Sequence, residues 1–306
     1  MSPVPPAGSH GGDAALIARG LGLDPTWMID LSASINPVAP DASTILSERL
    51  RDGRVVGCYP DPSRATAQLA AAIGVDPDLL VLTNGGAEAI ALVAQEVPVA
   101  DVIEPEFSLY RRHVQRVEPG APRWRSNPSN PLGSLAAAAE AAAVWDEAFY
   151  PLATGSWTRG DNTAWRLGSL TKLWACPGLR IGFVIAPNPD SAAVIRRRQP
   201  QWAVNGLALA IIEEMLASTN LAEWQRQIAG LRTSFSVELR SMGYEVSDTS
   251  VNWVLVHEDL RATLAPLGVV VRDCGSFGMH GWSRVAVPRP ADLDRALAAL
   301  AVLRPR

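Results

Sequence analysis

Apolar residues in this chain come in short blocks divided by glycine, proline and polar residues, and the pattern changes character near Pro200. From about Pro62 onward helical and strand-like segments alternate. Residues 62–73 read as a helix, 79–82 as a short buried strand, 86–95 as a second helix and 99–103 as the next strand. Apolar blocks at 143–145, 165–167 and 181–185 read as further short strands. Such alternation predicts an α/β layered domain whose mainly parallel sheet is flanked by helices. Beyond Pro200, helical stretches at 202–218 and 221–241 precede strands at 251–256, 268–272 and 283–287, with a closing helix at 290–303. That order predicts a smaller α+β unit. The expected division is a large domain of residues 44–201 and a small one of 202–306, joined by residues 1–43, which are too short to fold alone.

Composition narrows the class. The 306 residues are enough for a large core and more than one subdomain. With 48% hydrophobic and 19% charged residues, the chain has the balance of a globular protein. A formal net charge of −4 gives no reason to expect nucleic acid as a partner. Cys58, Cys176 and Cys274 are widely spaced and odd in number, fitting neither a disulfide framework nor a metal site. The first residues lack a basic segment followed by an apolar stretch, and the Ala-rich run 135–145 is too short to cross a bilayer. The expectation is a cytoplasmic protein without a metal or a membrane partner.

Four segments carry candidate chemistry. Ser169-Leu170-Thr171-Lys172 is followed by Arg180 within Pro177-Gly178-Leu179-Arg180-Ile181-Gly182. A lysine that attacks a carbonyl must lose its proton, and the apolar neighbours Leu173 and Trp174 disfavour ammonium. The hydroxyls before the lysine and the arginine after it suit a phosphate held alongside. Asp146 ends the apolar run 141–145, at the strand tip where α/β sheets bind ligands. Thr83-Asn84-Gly85-Gly86-Ala87 follows a strand and opens a helix, so its backbone N–H groups suit an anion. Asn127-Pro128-Ser129-Asn130-Pro131 is a turn. Taken singly, each is ordinary: a surface lysine, a helix cap, a connecting turn, a loop.

In order and spacing the four together resemble the fold-type I enzymes that use pyridoxal 5′-phosphate, specifically the class I/II aminotransferase group, over nearly the whole chain. The resemblance implies that Lys172 carries the cofactor as a Schiff base and that Asp146 pairs with its pyridine nitrogen. It implies that Arg180, Ser169, Thr171, Gly85, Gly86 and Ala87 hold the phosphate. Asn130 would hold the phenolic oxygen, and Tyr110, in Pro105-Glu106-Phe107-Ser108-Leu109-Tyr110, would stack on the ring. Tyr59 would reach the phosphate of a neighbouring subunit, which implies a symmetric homodimer. Phe149 stands where many relatives have a tyrosine, Leu132 replaces a threonine, and the stretch between Tyr110 and Asp146 is short.

The chain ends narrow the reaction. Ser9-His10-Gly11-Gly12-Asp13, Ile35-Asn36-Pro37, Val271-Arg272-Asp273-Cys274 and Ser283-Arg284-Val285 resemble the L-threonine-O-3-phosphate decarboxylases of cobalamin biosynthesis. Under that resemblance Arg284 binds the substrate carboxylate, and His10, Asn36 and Arg272 are candidates for its phosphate. The alternatives are a histidinol-phosphate-type aminotransferase acting on a phosphorylated substrate, and a non-catalytic scaffold of the same fold.

Overall fold

The sheet at the centre of the molecule is buried on both faces, because its residues alternate between two cores. The computed structural model describes residues 4–8, 10–51 and 53–304. Within these, β1 (Leu80–Thr83), β2 (Trp124–Ser126), β3 (Val144–Asp146), β4 (Trp165–Ser169) and β5 (Gly182–Ile185) form one five-stranded sheet in the order β1-β5-β4-β3-β2. Leu80 and Leu82 enter one core while Val81 enters the other, as the two-residue period of a strand requires. The helices Ser63–Ile73 and Ile212–Ser218 cover the first face through Leu69 and Met215. The helices Gly85–Val93 and Pro189–Arg198 cover the second through Ile90 and Ile195.

Strands β2, β3 and β4 pair in parallel, whereas β5 lies antiparallel to both β4 and β1. Four strands therefore run one way and β5 alone runs against them. The 99–103 segment contributes less than its apolar pattern suggests. Val99–Ala100 pairs with Arg116–Val117, and Asp101 makes a single bridge to Arg123 at the edge beside β2. Pro105, which cannot donate to a ladder, follows soon after.

The smaller unit is built on an antiparallel sheet containing β6 (Trp253–Val256), β7 (Arg272–Asp273) and β8 (Ser283–Ala286), backed by the helices Leu221–Ser241 and Leu293–Val302. The predicted strand at 268–272 is two strands. Val269–Val270 pairs in parallel with Ile29–Asp30, and Arg272–Asp273 crosses to pair with β8. The predicted helix at 202–218 is likewise broken, into Gly206–Ala210, capped by the Asn205 side chain, and Ile212–Ser218.

The core divides at a different place from the expected join at 201/202. Val204, Ile211, Met215, Trp224 and Ile228 pack with the large sheet, whereas Phe235 and Leu239 of the same long helix pack with the small one. That helix, 21 residues long, spans both cores. The N-terminal segment lies on the small unit: Ile29 and Leu31 join its core, and Ile17 packs with Ala265 and Val270. No helix among the described residues is long and apolar enough to cross a membrane.

Candidate active site

A cavity of about 280 Å³ opens where the ends of β3 and β4 meet the start of β5. Ligands in α/β sheets gather at such strand ends. Lys172 follows β4 on one turn of helix, and its Nζ donates to the Ala33 carbonyl at 2.9 Å. Burial, followed by the positive charges of Arg284 and Arg180, pushes its ammonium down to about 8. An amine so placed loses its proton far more readily than one on the surface.

Asp146 ends β3 inside the same cavity. Its carboxylate accepts from the Tyr110 hydroxyl at 2.8 Å and from the Ala148 N–H at 3.0 Å, and burial raises its pKa. A cationic N–H facing this carboxylate would offset the burial that raises it.

Arg180 adopts a positive φ of 54° immediately before β5, and its Nη1 donates to the Pro177 carbonyl at 3.2 Å. Its guanidinium rests directly on Gly85, where a Cβ would fall 2.3 Å from Nη2. Gly85 itself has φ of 78°, a conformation that side chains disfavour. The turn thus brings a helix N-terminus, through Gly86 and Ala87, to the cavity beside an arginine. Ser169 and Thr171, whose hydroxyls lie 2.8 Å apart, complete a donor set matched to a phosphate.

The far side of the cavity comes from the small unit and the N-terminal segment. Arg284, on β8, is buried; it donates to Asn130 Oδ1 at 2.5 Å and to the Ser32 carbonyl at 3.0 Å, over the Trp253 ring. Arg272, on β7, donates to the Gly8 carbonyl at 2.7 Å and to Ser276 Oγ at 2.5 Å. His10 lines the same side. Burial, then the cations Arg272, Arg112 and Lys172, lower its pKa. Gly11 lets this segment lie against Ser32, since a Cβ there would meet the Ser32 carbonyl at 2.3 Å. Ser9, next to His10, lies outside the described residues.

Two sequence expectations need correction. Asn36 is not at the cavity. Its Nδ2 donates to the Leu173 carbonyl, its Oδ1 accepts from the Val38 N–H, and its own N–H donates to the Lys172 carbonyl. Fully buried, it fastens the N-terminal segment behind the lysine, out of reach of a substrate phosphate in the cavity. Tyr110 is fully buried against Trp124, with its hydroxyl spent on Asp146. The aromatic that turns a partly exposed ring to the cavity is Phe107, three residues earlier in the same segment. Tyr59, expected to act on a neighbouring subunit, is 78% exposed, away from this chain's own cavity, and stacks on Trp202 with centroids 4.4 Å apart.

Lys172, Asp146, Asn130, Ser169, Thr171 and Arg180 do converge, as do Gly86, Ala87, His10, Arg272 and Arg284. Phe149 lines the cavity and packs edge-on against Trp253, with no hydroxyl to offer. Leu132 is 38% exposed and outside it. Sequence reasoning missed Phe107, Ser126 and the Ala33 carbonyl. The first two could be sought as an aromatic and a hydroxyl close to recognised motifs, but a main-chain oxygen has no sequence signature.

Residues 125–300 match the model of a family described as aminotransferase class I and II. The chain is 28% identical over 336 residues to histidinol-phosphate aminotransferase 1 of Mesorhizobium japonicum, covering 91% of each chain. It is 26% identical over 351 residues to the threonine-phosphate decarboxylase of Salmonella typhimurium, covering 95% of each. The solved histidinol-phosphate aminotransferase from Sinorhizobium meliloti, in complex with pyridoxal-5′-phosphate, shares the fold with a TM-score of 0.78 at 18% identity. That likeness covers 94% of this chain and 93% of the other.

Proposed function

The chain belongs to the class I and II aminotransferase family, and from that premise we propose that it decarboxylates L-threonine O-3-phosphate to (R)-1-amino-2-propanol O-2-phosphate. Its cofactor is pyridoxal 5′-phosphate, and the donor set around Lys172 fits that group. Lys172 is the amine that holds it, Asp146 keeps the pyridine nitrogen protonated, and Arg180 with Ser169, Thr171 and the Gly85–Ala87 turn takes the phosphate. Asn130 takes the phenolic oxygen and Phe107 supplies the aromatic face. Bound there, the cofactor supplies an electron sink for the carbanion left when a Cα bond breaks.

One observation carries the choice of substrate: anion-binding side chains from opposite ends of the chain, His10 together with Arg272 and Arg284, face one cavity around Lys172. A substrate with two anionic ends suits that arrangement. Arg284 holds the carboxylate, while Arg272 and His10 hold the phosphate through charge-assisted hydrogen bonds. A phosphate dianion at His10 opposes the cationic neighbours that depress it and favours its protonated form. Lys172 Nζ, with its pKa lowered to about 8, exchanges a proton readily near neutral pH and is the group that returns one to Cα. The active unit is proposed to be a homodimer in which Tyr59 of one protomer reaches the cofactor phosphate of its partner.

A second reading, a histidinol-phosphate-type aminotransferase, is favoured by the likeness to such an enzyme at 28% identity. Incubation of the holoenzyme with L-threonine O-3-phosphate, without a 2-oxo acid, separates the two. The decarboxylase releases CO₂ over many turnovers, and Lys172→Ala abolishes the release. Conversion of the cofactor to its pyridoxamine form after one turnover, with no CO₂, would refute decarboxylation and leave the aminotransferase. A scaffold with no activity fits poorly with the convergence of Lys172, Asp146, Arg180 and Arg284 on one cavity.

A further inference from the structure

Behind Asp146 lies a second buried carboxyl that the mechanism above does not use. Glu106 is 3% exposed, in the segment that also carries Phe107 and Tyr110. Its Oε1 accepts from the Ser126 N–H at 2.9 Å. Its Oε2 accepts from the Ser126 hydroxyl at 2.6 Å and from the Phe107 N–H at 3.0 Å. The Ser126 hydroxyl in turn accepts from the Asn130 N–H at 2.9 Å, and Asn130 Oδ1 receives Arg284.

These bonds run in one sense. Asn130 donates to Ser126, Ser126 donates to Glu106, and Phe107 donates to the same carboxylate oxygen as the Ser126 hydroxyl. Phe107 and Asn130 both line the cavity, and they come from segments about twenty residues apart. We propose that Glu106 is a positioning residue of the cofactor slot, its one carboxylate fixing Phe107 directly and Asn130 through Ser126.

The acceptor pattern is specific to a carboxylate. Both oxygens are occupied as acceptors, by two backbone N–H groups and one hydroxyl. A glutamine in this place turns an N–H₂ toward Ser126 N–H or toward Phe107 N–H, whichever way it is flipped. One buried backbone donor is then unpaired, a state that costs more than a missing hydrogen bond between exposed groups. Burial pushes the Glu106 carboxyl up to about 7, with the neighbouring Asp146 adding to the rise and the three donors opposing it. On β2, Arg125 feels the Glu106 charge but is itself paired with Glu140. Donors rather than a counter-ion therefore oppose the burial that favours the neutral form of Glu106.

The inference rests on the cofactor reading, and titration of apoprotein with pyridoxal 5′-phosphate, followed by fluorescence quenching, tests the two separately. Visible circular dichroism of the bound cofactor reports its orientation, which a general loss of stability would leave alone. Glu106→Gln is expected to weaken binding about tenfold, the scale of one charge-assisted hydrogen bond, and to change the dichroic band. Ser126→Ala, which cuts only the path to Asn130, is expected to weaken binding by a smaller factor and to change the band in part. It carries the test alone if Glu106→Gln does not fold. Wild-type affinity and an unchanged band in the folded variants, with wild type binding normally, overturn the role of Glu106 and leave the cofactor reading intact. Failure of wild type to bind overturns both.

Discussion

The two sides of the cavity are made in different ways. On the cofactor side, Asp146, Ser169, Thr171, Lys172 and Arg180 fall within 35 consecutive residues at the tips of paired strands in a sheet buried on both faces. The substrate side, with His10, Arg272 and Arg284, joins segments separated by more than 250 residues, and main-chain oxygens carry much of that join. Ser32 accepts from Arg284, Ala33 from Lys172, and Ser34 and Ile35 from Asn252. A rigid sheet fixes atoms that must hold still for chemistry. A strap held by its backbone can shift with whatever substrate it meets. Under the proposed function, the first side serves the cofactor chemistry and the second the choice of substrate.

Substitutions can break that assignment. The largest effect is expected for Lys172→Ala, which should abolish the visible absorbance of lysine-bound cofactor. It should also lower turnover by at least the ~10²–10⁴-fold of a positioned proton carrier. An unchanged spectrum would sink the cofactor assignment. Next comes Arg284→Lys. An ammonium cannot hold Asn130, Ser32 and a carboxylate in one plane, so kcat/KM should fall about 10–100-fold while the cofactor spectrum stays as in wild type. A spectral change of the size seen at Lys172 would mean that the two sides are not separate.

His10→Ala should be milder, raising KM for a phosphorylated substrate about tenfold with kcat nearly constant, as expected for one lost hydrogen bond to a charged group. Equal kinetics on phosphorylated and unphosphorylated substrate in wild type would remove the phosphate role from this side. The smallest effect is in pH. With Lys172 at about 8, its neutral fraction rises about fivefold from pH 7 to pH 8 and less than about twofold above that. The rate at which pyridoxal 5′-phosphate loads the apoprotein should follow that curve. Continued tenfold gains per unit up to pH 10 would show an unperturbed lysine.

The same contrast explains what was legible in the sequence. Lys172, Asp146, Arg180 and the Gly85–Gly86 turn could be read because each lies within a short segment whose order along the chain matches its place in the sheet. Asn36 was misread because the reason for its position, the carbonyls of Lys172 and Leu173, lies more than 130 residues away. Tyr110 and Phe107 share one segment and both border the cavity, and only the packing of Tyr110 against Trp124 leaves Phe107 as the ring with a free face. The long helix at 221–241 was read correctly as a helix, but its sequence does not reveal that its two halves serve different cores.

Strand β5 runs against the four other strands of its sheet, and this bears on how the site can be inherited. Because β4 and β5 are antiparallel neighbours, the end of one and the start of the other lie at the same edge of the sheet. Lys172 and Arg180 can therefore sit on one connection, eight residues apart, and still face the same cofactor. With β5 parallel, the chain would have to cross the sheet before supplying the arginine, and the pair would be scattered along the sequence. The reversal turns a composite site into a portable cassette. Its spacing can persist while the surrounding sequence drifts to the low identities seen between this chain and its relatives.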